Sequence, residues 1–287
     1  MRRQEQRSYP ATPRAEKGFE HMRIDDDTPE PDALPAVYPS RPPINLVVEP
    51  DLLQPRNLFA FEGIDGAGKS ALLGRVVAAF GTRGRSTITL KLGRSDVTRH
   101  ALERAKWRNA NPLTFSLLSW VTIVEQVAEH RAALNGDGLV FFDRYVPTLM
   151  VRGFLEGLSM DYMRALSAYA PQPTILFLID CDPHICRDRI VNRERPISYF
   201  EAGSRVVDHL HRPILEADPG LRGDADRRLP LLDHLMRMRT QLNRLVSEYE
   251  NVVVVDNSGT PESAFKVIMD TISSVDQTTG SQSFASA

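Results

Sequence analysis

The chain has 287 residues, 42% of them hydrophobic and 25% charged, with a formal net charge of −2. That balance suits an ordinary globular protein and excludes a bulk positive field for nucleic acid or an anionic membrane, so any basic chemistry has to be local. Two cysteines, Cys181 and Cys186, make no disulfide framework and match no common metal spacing; they read as small core residues in a reducing, cytoplasmic setting. No apolar run approaches the ~18 residues of a membrane span, and no apolar stretch follows the basic N-terminus as a secretory signal requires.

Residues 1–50 hold nine of the twenty prolines, the acidic run Asp25-Asp26-Asp27 and few large apolar side chains. Such a stretch buries too little surface to offset its ordering entropy and is expected to be disordered. From residue 57 the pattern alternates. Asn57 to Glu62 reads as a buried strand, Ser70 to Phe80 as a helix and Thr87 to Leu92 as a strand. A long helix is expected over Leu113 to Leu134, ended by the turn signal Asn135-Gly136-Asp137-Gly138. Leu139 to Phe142 is a strand, Tyr162 to Tyr169 a helix, Thr174 to Ile179 a strand and Pro183 to Arg195 an arginine-rich helix. Leu231 to Glu250 is helical, Val252 to Asp256 a strand and Ser263 to Ser274 a last helix, followed by an unstructured tail at 277–287. Residues 202–229 break the rhythm and read as an insertion or mobile segment. Continuous apolar strands alternating with helices imply an α/β domain over 51–276, with about five parallel strands and helices on both faces.

Gly63-Ile64-Asp65-Gly66-Ala67-Gly68-Lys69-Ser70 satisfies G-x-x-x-x-G-K-[ST] between a predicted strand and a predicted helix. Glycines let the chain wrap a phosphate with Gly63, Gly66, Ala67 and Gly68 presenting backbone N–H groups, and the helix N-terminus adds its positive end. Lys69 reaches the outer phosphates of ATP, and Ser70 offers a hydroxyl to Mg²⁺. A second signal lies at Val140-Phe141-Phe142-Asp143-Arg144. A carboxylate ending a buried strand, Asp143, suits the second support for Mg²⁺ beside the loop. Arg144 comes directly after it, and its planar fork suits the phosphate of a small acceptor molecule.

These residues resemble the thymidylate kinases. Phe61 to Ser70 is similar to that family's opening, Asp143-Arg144-Tyr145 to its Asp-Arg-Tyr/His segment, and Asp180-Cys181-Asp182-Pro183 with Arg189 and Arg193 to its Asp-x-x-Pro strand end and lid helix. The order agrees from about residue 57 to 273. The resemblance implies a P-loop NTPase fold with an arginine-bearing lid, here within 185–230, and transfer of phosphate from ATP to dTMP. It also implies that Asp65 contacts the acceptor sugar hydroxyl and that Arg94 and Arg144 grip the acceptor phosphate. Gly66 stands where some members carry a loop arginine, so Arg189, Arg193 or Arg195 of the lid is expected to supply transition-state charge. Members are often dimers, which leaves a homodimer open.

The sequence departs from the family in the acceptor half. Lys91-Leu92-Gly93-Arg94 keeps the arginine of the family's segment but lacks its proline and acid, and Ser198-Tyr199-Phe200-Glu201 replaces an Asp-Arg pair. Ser119 and Ile123 occupy the acceptor-helix positions of a stacking phenylalanine and a second arginine; Trp120, rotated about 100° from Ser119, reads as core. Either Arg94, Arg99 or Arg104 makes good the missing charge, or the acceptor differs. Gln126 and Glu125 are base-reading candidates that read more simply as surface. The alternatives are a kinase for another nucleotide or a nucleoside, or a nucleotide-binding protein whose acceptor site has decayed.

Overall fold

The computed structural model describes residues 54–92, 95–107, 110–193 and 224–283, all within the unit Glu49–Ala287. The five strands are β1 Leu58–Glu62, β2 Thr87–Lys91, β3 Leu139–Asp143, β4 Ile175–Asp180 and β5 Val252–Asp256. They form one parallel sheet in the order β2-β3-β1-β4-β5. The helices described are α1 Lys69–Thr82, α2 Arg99–Trp107, α3 Pro112–Glu129, α4 Arg131–Leu134, α5 Val146–Leu155, α6 Met160–Ser167, α7 Pro183–Val191, α8 Asp224–Val246 and α9 Pro261–Ser283.

Every residue of β1 and β3 is buried, as strands covered on both faces must be. Their aromatic rings build the centre of the core: the centroids of Phe61 and Phe177 lie 5.2 Å apart and those of Phe59 and Phe141 5.7 Å apart. Each such ring contributes about 1.5–3 kcal/mol by leaving water. The step from β1 to β2 runs one way along the sheet, and the three later steps run the other way. Right-handed connections therefore put α1 on one face and α3, α5 and α8 on the opposite face. The packing agrees: α1 rests against α9, while α3 packs on α5, and α5 and α7 pack on α8. The direction reverses at β2, so the neighbouring strands β1 and β3 send their crossovers to opposite faces, and the crevice falls at their carboxyl ends, where Phe61 pairs with Asp143.

The five-stranded parallel sheet expected from the sequence is present. The long helix expected over 113–134 is interrupted at His130, whose backbone N–H and ring Nδ1 both meet the Gln126 carbonyl, at 3.1 and 3.0 Å. Two helices, α2 and α5, are not expected from the sequence. Helix α8 begins at Asp224, inside the stretch read as an insertion, and α9 continues to Ser283, into the stretch read as an unstructured tail. The expected disordered extension at 1–50, Arg94, Arg195, and the remainder of the 202–229 segment lie outside the described residues.

Candidate active site

The chain leaves β1 into the loop 63–68, where Gly66 and Gly68 take φ of 82° and 89°, a region side chains disfavour. Space is as decisive as φ. A Cβ at Gly66 would sit 2.5 Å from the Cys186 carbonyl oxygen, and one at Gly68 2.5 Å from Asn257 Nδ2. Asn257, just beyond β5, holds the loop: its Nδ2 donates to the Ala67 carbonyl at 2.7 Å while its backbone N–H donates to Asp180 at 2.7 Å. Arg189 of α7 adds a brace, donating from NH1 to the Gly66 carbonyl at 3.3 Å and to Cys181 Sγ at 3.4 Å, and from NH2 to the Asn257 carbonyl at 3.1 Å. No side chain caps α1, which starts at Gly68. The amides of its first turn are therefore not taken by a capping group and can bind an anion. Lys69 donates to the Ile64 carbonyl at 2.6 Å inside this loop. Burial, followed by the Arg144 charge, pushes its ammonium down to about 7, against the pull of Asp65, Asp143 and Glu62.

At the end of β3, Asp143 Oδ2 accepts from Ser70 Oγ at 2.8 Å and faces Lys91 Nζ at 3.1 Å. Burial raises the Asp143 carboxyl, but the Ser70 hydrogen bond and the Lys91 charge outweigh it and hold the group below its ordinary value. A carboxylate and a hydroxyl so placed at the mouth of an anion loop are hard oxygen donors of the kind Mg²⁺ takes.

Arg144 is the one described non-glycine residue with positive φ, at 69°. That backbone costs about 1–2 kcal/mol. It persists because the Arg144 N–H donates to Phe61 at 3.0 Å and because Glu62 anchors the first turn of α5 beyond it. Glu62 is fully buried at the end of β1, and its Oε1 accepts from the backbone N–H groups of Tyr145 at 2.7 Å and Thr148 at 3.1 Å. Its Oε2 takes the Thr148 hydroxyl. A carboxylate from β1 thus caps α5, which Tyr145 does not cap itself. Burial pushes the Glu62 carboxyl up, with the bonds from Thr148 and Tyr145 opposing.

So anchored, Arg144 turns back toward the loop, donating to the Gly63 carbonyl at 3.3 Å and pairing with Asp65 Oδ1. Arg152 of α5 meets the other oxygen, Asp65 Oδ2, at 3.3 Å. Burial alone would raise the Asp65 carboxyl; Arg144, then Arg152 and Lys69, reverse this and hold it at about 2. His234 of α8 lies beside the group, pushed down to about 4 chiefly by burial and so neutral at physiological pH. Arg239 of α8 grips Asp180 at the end of β4 with two bonds of 2.7 and 2.6 Å, which fixes α8 over the crevice.

The structure gathers Gly63, Asp65, Gly66, Ala67, Gly68, Lys69, Ser70, Asp143, Arg144 and Arg189 around one crevice, and Arg193 stands half-buried just beyond α7. The acceptor candidates fare differently. Ile123 is fully buried in the core, Trp120 is core as expected, and Ser119 returns its hydroxyl to Phe115 at 2.9 Å. Gln126 is not surface: its amide pairs with both the N–H and the carbonyl of Lys91, each at 3.1 Å, so α3 supplies a side chain that extends the β2 ladder instead of reading a base. Arg99 and Arg104 on α2 are exposed, Arg99 beside Asp96 at 3.8 Å. Sequence reasoning missed Glu62 as a cap, Arg152, His234, Arg239 and Asn257. Only Glu62 carried a local signal, a charged residue ending an otherwise apolar strand.

An anion loop at the switch point, opposed by an arginine that a buried carboxylate holds in place, makes a phosphate-binding site on a P-loop α/β fold. The sequence matches the family described as thymidylate kinase over residues 61–207. It is 34% identical over 168 residues to the "Thymidylate kinase" of Chlorobium luteolum, covering 55% of this chain and 77% of the relative. It is 28% identical over 203 residues to the "Probable thymidylate kinase 2" of Saccharolobus solfataricus, covering 70% and 88%, and 30% identical over 162 residues to the "Thymidylate kinase" of Xanthomonas oryzae pv. oryzae, covering 54% and 67%. The chain belongs to the thymidylate kinase family.

Proposed function

We propose that the protein transfers the γ-phosphoryl group of ATP to dTMP, giving ADP and dTDP. The observation that carries this reading is the Arg144–Asp65 pair facing the loop that holds Lys69 and Ser70. The loop amides and Lys69 hold the β- and γ-phosphates. Ser70 and Asp143 would hold Mg²⁺, which would neutralise charge on the transferred group. Arg144 grips the acceptor phosphate and aims its oxygen in line, while Asp65 takes the acceptor sugar hydroxyl. Arg189, already at the loop, and Arg193 supply further positive charge as the phosphoryl group moves, and Arg94 adds to the acceptor grip. Loose phosphoryl transfer asks for positioning and cations, and this set provides both. A coupled assay for ADP across nucleosides and monophosphates tests the reading. Turnover with dTMP and loss of at least about a hundredfold in kcat for Lys69→Ala are expected; an active Lys69→Ala enzyme would overturn the mechanism.

A homodimer belongs to the same proposal. Leu113, Leu117, Val121 and Val124 form one stripe on α3, each 41–46% exposed. Their i, i+4, i+8, i+11 spacing puts four large apolar side chains on a single face, which a second copy of the chain would cover. Val121→Glu should turn a dimeric sedimentation profile into a monomeric one. The reading also places the protein in the cytoplasm, free of membranes and nucleic acid. Cys181 and Cys186 are free thiols, and no described helix is long and apolar enough to cross a membrane.

A further inference from the structure

Arg152 has no role in the proposed transfer, yet it shares a carboxylate with Arg144, the residue central to it. Arg144 and Arg152 occupy one oxygen each of Asp65, and all three side chains are at most 20% exposed. The pairing bears directly on the proposed chemistry. Asp65 is to accept a hydrogen bond from the acceptor sugar, and each of its oxygens already faces a guanidinium group, with one lone pair left on each. Drawing a guanidinium away from a buried carboxylate without offering a new anion breaks an ion pair at low exposure, which is unfavourable. A neutral nucleoside brings no such anion. A nucleoside monophosphate does.

Beside Arg144 and Arg94, the candidates for a further cation on α2 and α3 are weak on geometric grounds. Position 123 of α3 is an isoleucine sealed in the core, and Arg99 and Arg104 lie exposed on α2. Arg152 instead stands on α5, whose N-terminus Glu62 fixes directly after Arg144, so a single helix and its cap set both guanidinia.

We propose that Arg152 is a further acceptor-phosphate ligand, acting with Arg144 as an exchange clamp: both guanidinia hold Asp65 until the acceptor arrives, then pass to its phosphate dianion and leave Asp65 to the sugar hydroxyl. The exchange couples the acceptor's phosphate to its sugar, because Asp65 is a stronger acceptor for the sugar hydroxyl once the arginines have turned to the phosphate. Discrimination against nucleosides follows from the partner exchange itself, through groups left unpaired by the wrong ligand.

This inference rests on the dTMP reading, and the test separates the two. Acceptor KM, ATP KM and kcat are measured for wild type, Arg152→Met and Arg152→Lys, with thymidine and dTMP affinities from calorimetry. Arg152→Met should raise the dTMP KM about 10- to 100-fold, as loss of a charge-assisted bond does. ATP KM should stay unchanged, thymidine affinity should stay equal or rise, and Arg152→Lys should recover part of the loss. If Arg152 merely positioned Asp65, dTMP and thymidine would weaken by the same factor; that result, or an unchanged dTMP KM, overturns the clamp. Arg152→Gln, which keeps a donor for Asp65 without the charge, decides the matter should Arg152→Met fail to fold. If wild type turns over no dTMP, that reading fails separately. The clamp is then decided by titrating inorganic phosphate with a non-hydrolysable ATP analogue filling the loop: at least about tenfold weaker binding by Arg152→Met supports it, and equal binding overturns it.

Discussion

Replacing Glu62 probes the joint on which the acceptor side depends. In Glu62→Ala the buried N–H groups of Tyr145 and Thr148 and the Thr148 hydroxyl lose their acceptor. Each buried polar group left unpaired costs about 1–3 kcal/mol, and removing a buried carboxylate returns part of that, so a net loss of about 3–5 kcal/mol is expected. For a domain of this size that lowers Tm by roughly 6–20 °C. Glu62→Gln keeps an acceptor oxygen for both amides and should lose at most about 1.5 kcal/mol. The pH dependence separates charge from hydrogen bonding. The Glu62 carboxyl is raised above its ordinary 4.5, so its contribution to stability is full below that pH and is lost as pH rises through the folded-state value. Glu62→Gln has no such loss, and its deficit relative to wild type should shrink from pH 5 to pH 8 in urea titrations. A Glu62→Ala protein melting within about 2 °C of wild type, or a Gln deficit that grows with pH, would refute the reasoning.

Two further outcomes are expected. Arg144→Ala should raise the acceptor KM about 10- to 100-fold and lower kcat while leaving the ATP KM nearly unchanged; a selective loss of ATP affinity would place Arg144 on the wrong side of the crevice. Lys69, held at about 7, should regain its proton when surrounded by phosphates, so nucleotide binding takes up about 0.9 proton at pH 8 and about 0.1 at pH 6. Calorimetry in buffers of different ionisation enthalpy measures this, and an equal uptake by Lys69→Met would assign the proton elsewhere.

What could be read from the sequence was whatever depends on neighbours along the chain. Apolar runs marked four of the five strands, because a strand covered on both faces has to be apolar at successive positions, and alternation marked β2. The phosphate loop was legible for the same reason: residues 63–70 act as one local unit in which φ, backbone amides and a helix N-terminus are consecutive. Asp143 and Arg144 were visible as charges ending an apolar strand. Helix α5 was hidden, since its sequence is apolar almost throughout and shows no clear period, and its cap comes from Glu62, 83 residues before Tyr145.

Tertiary structure decided the rest. The strand order, which sets β1 beside β3, brought Phe61 beside Asp143 and so made one site of two distant motifs. Folding carried Asn257 to the loop from 190 residues away and set Arg152 against Asp65, 87 residues apart, and nothing local distinguishes either from a surface residue. The same packing turned Gln126 inward to the edge of β2, although its polar character alone pointed outward. A side chain's chemistry follows from its identity, but its partner is chosen by which strand ends the sheet sets side by side, and in this chain the ends of β1 and β3 come from different thirds of the sequence.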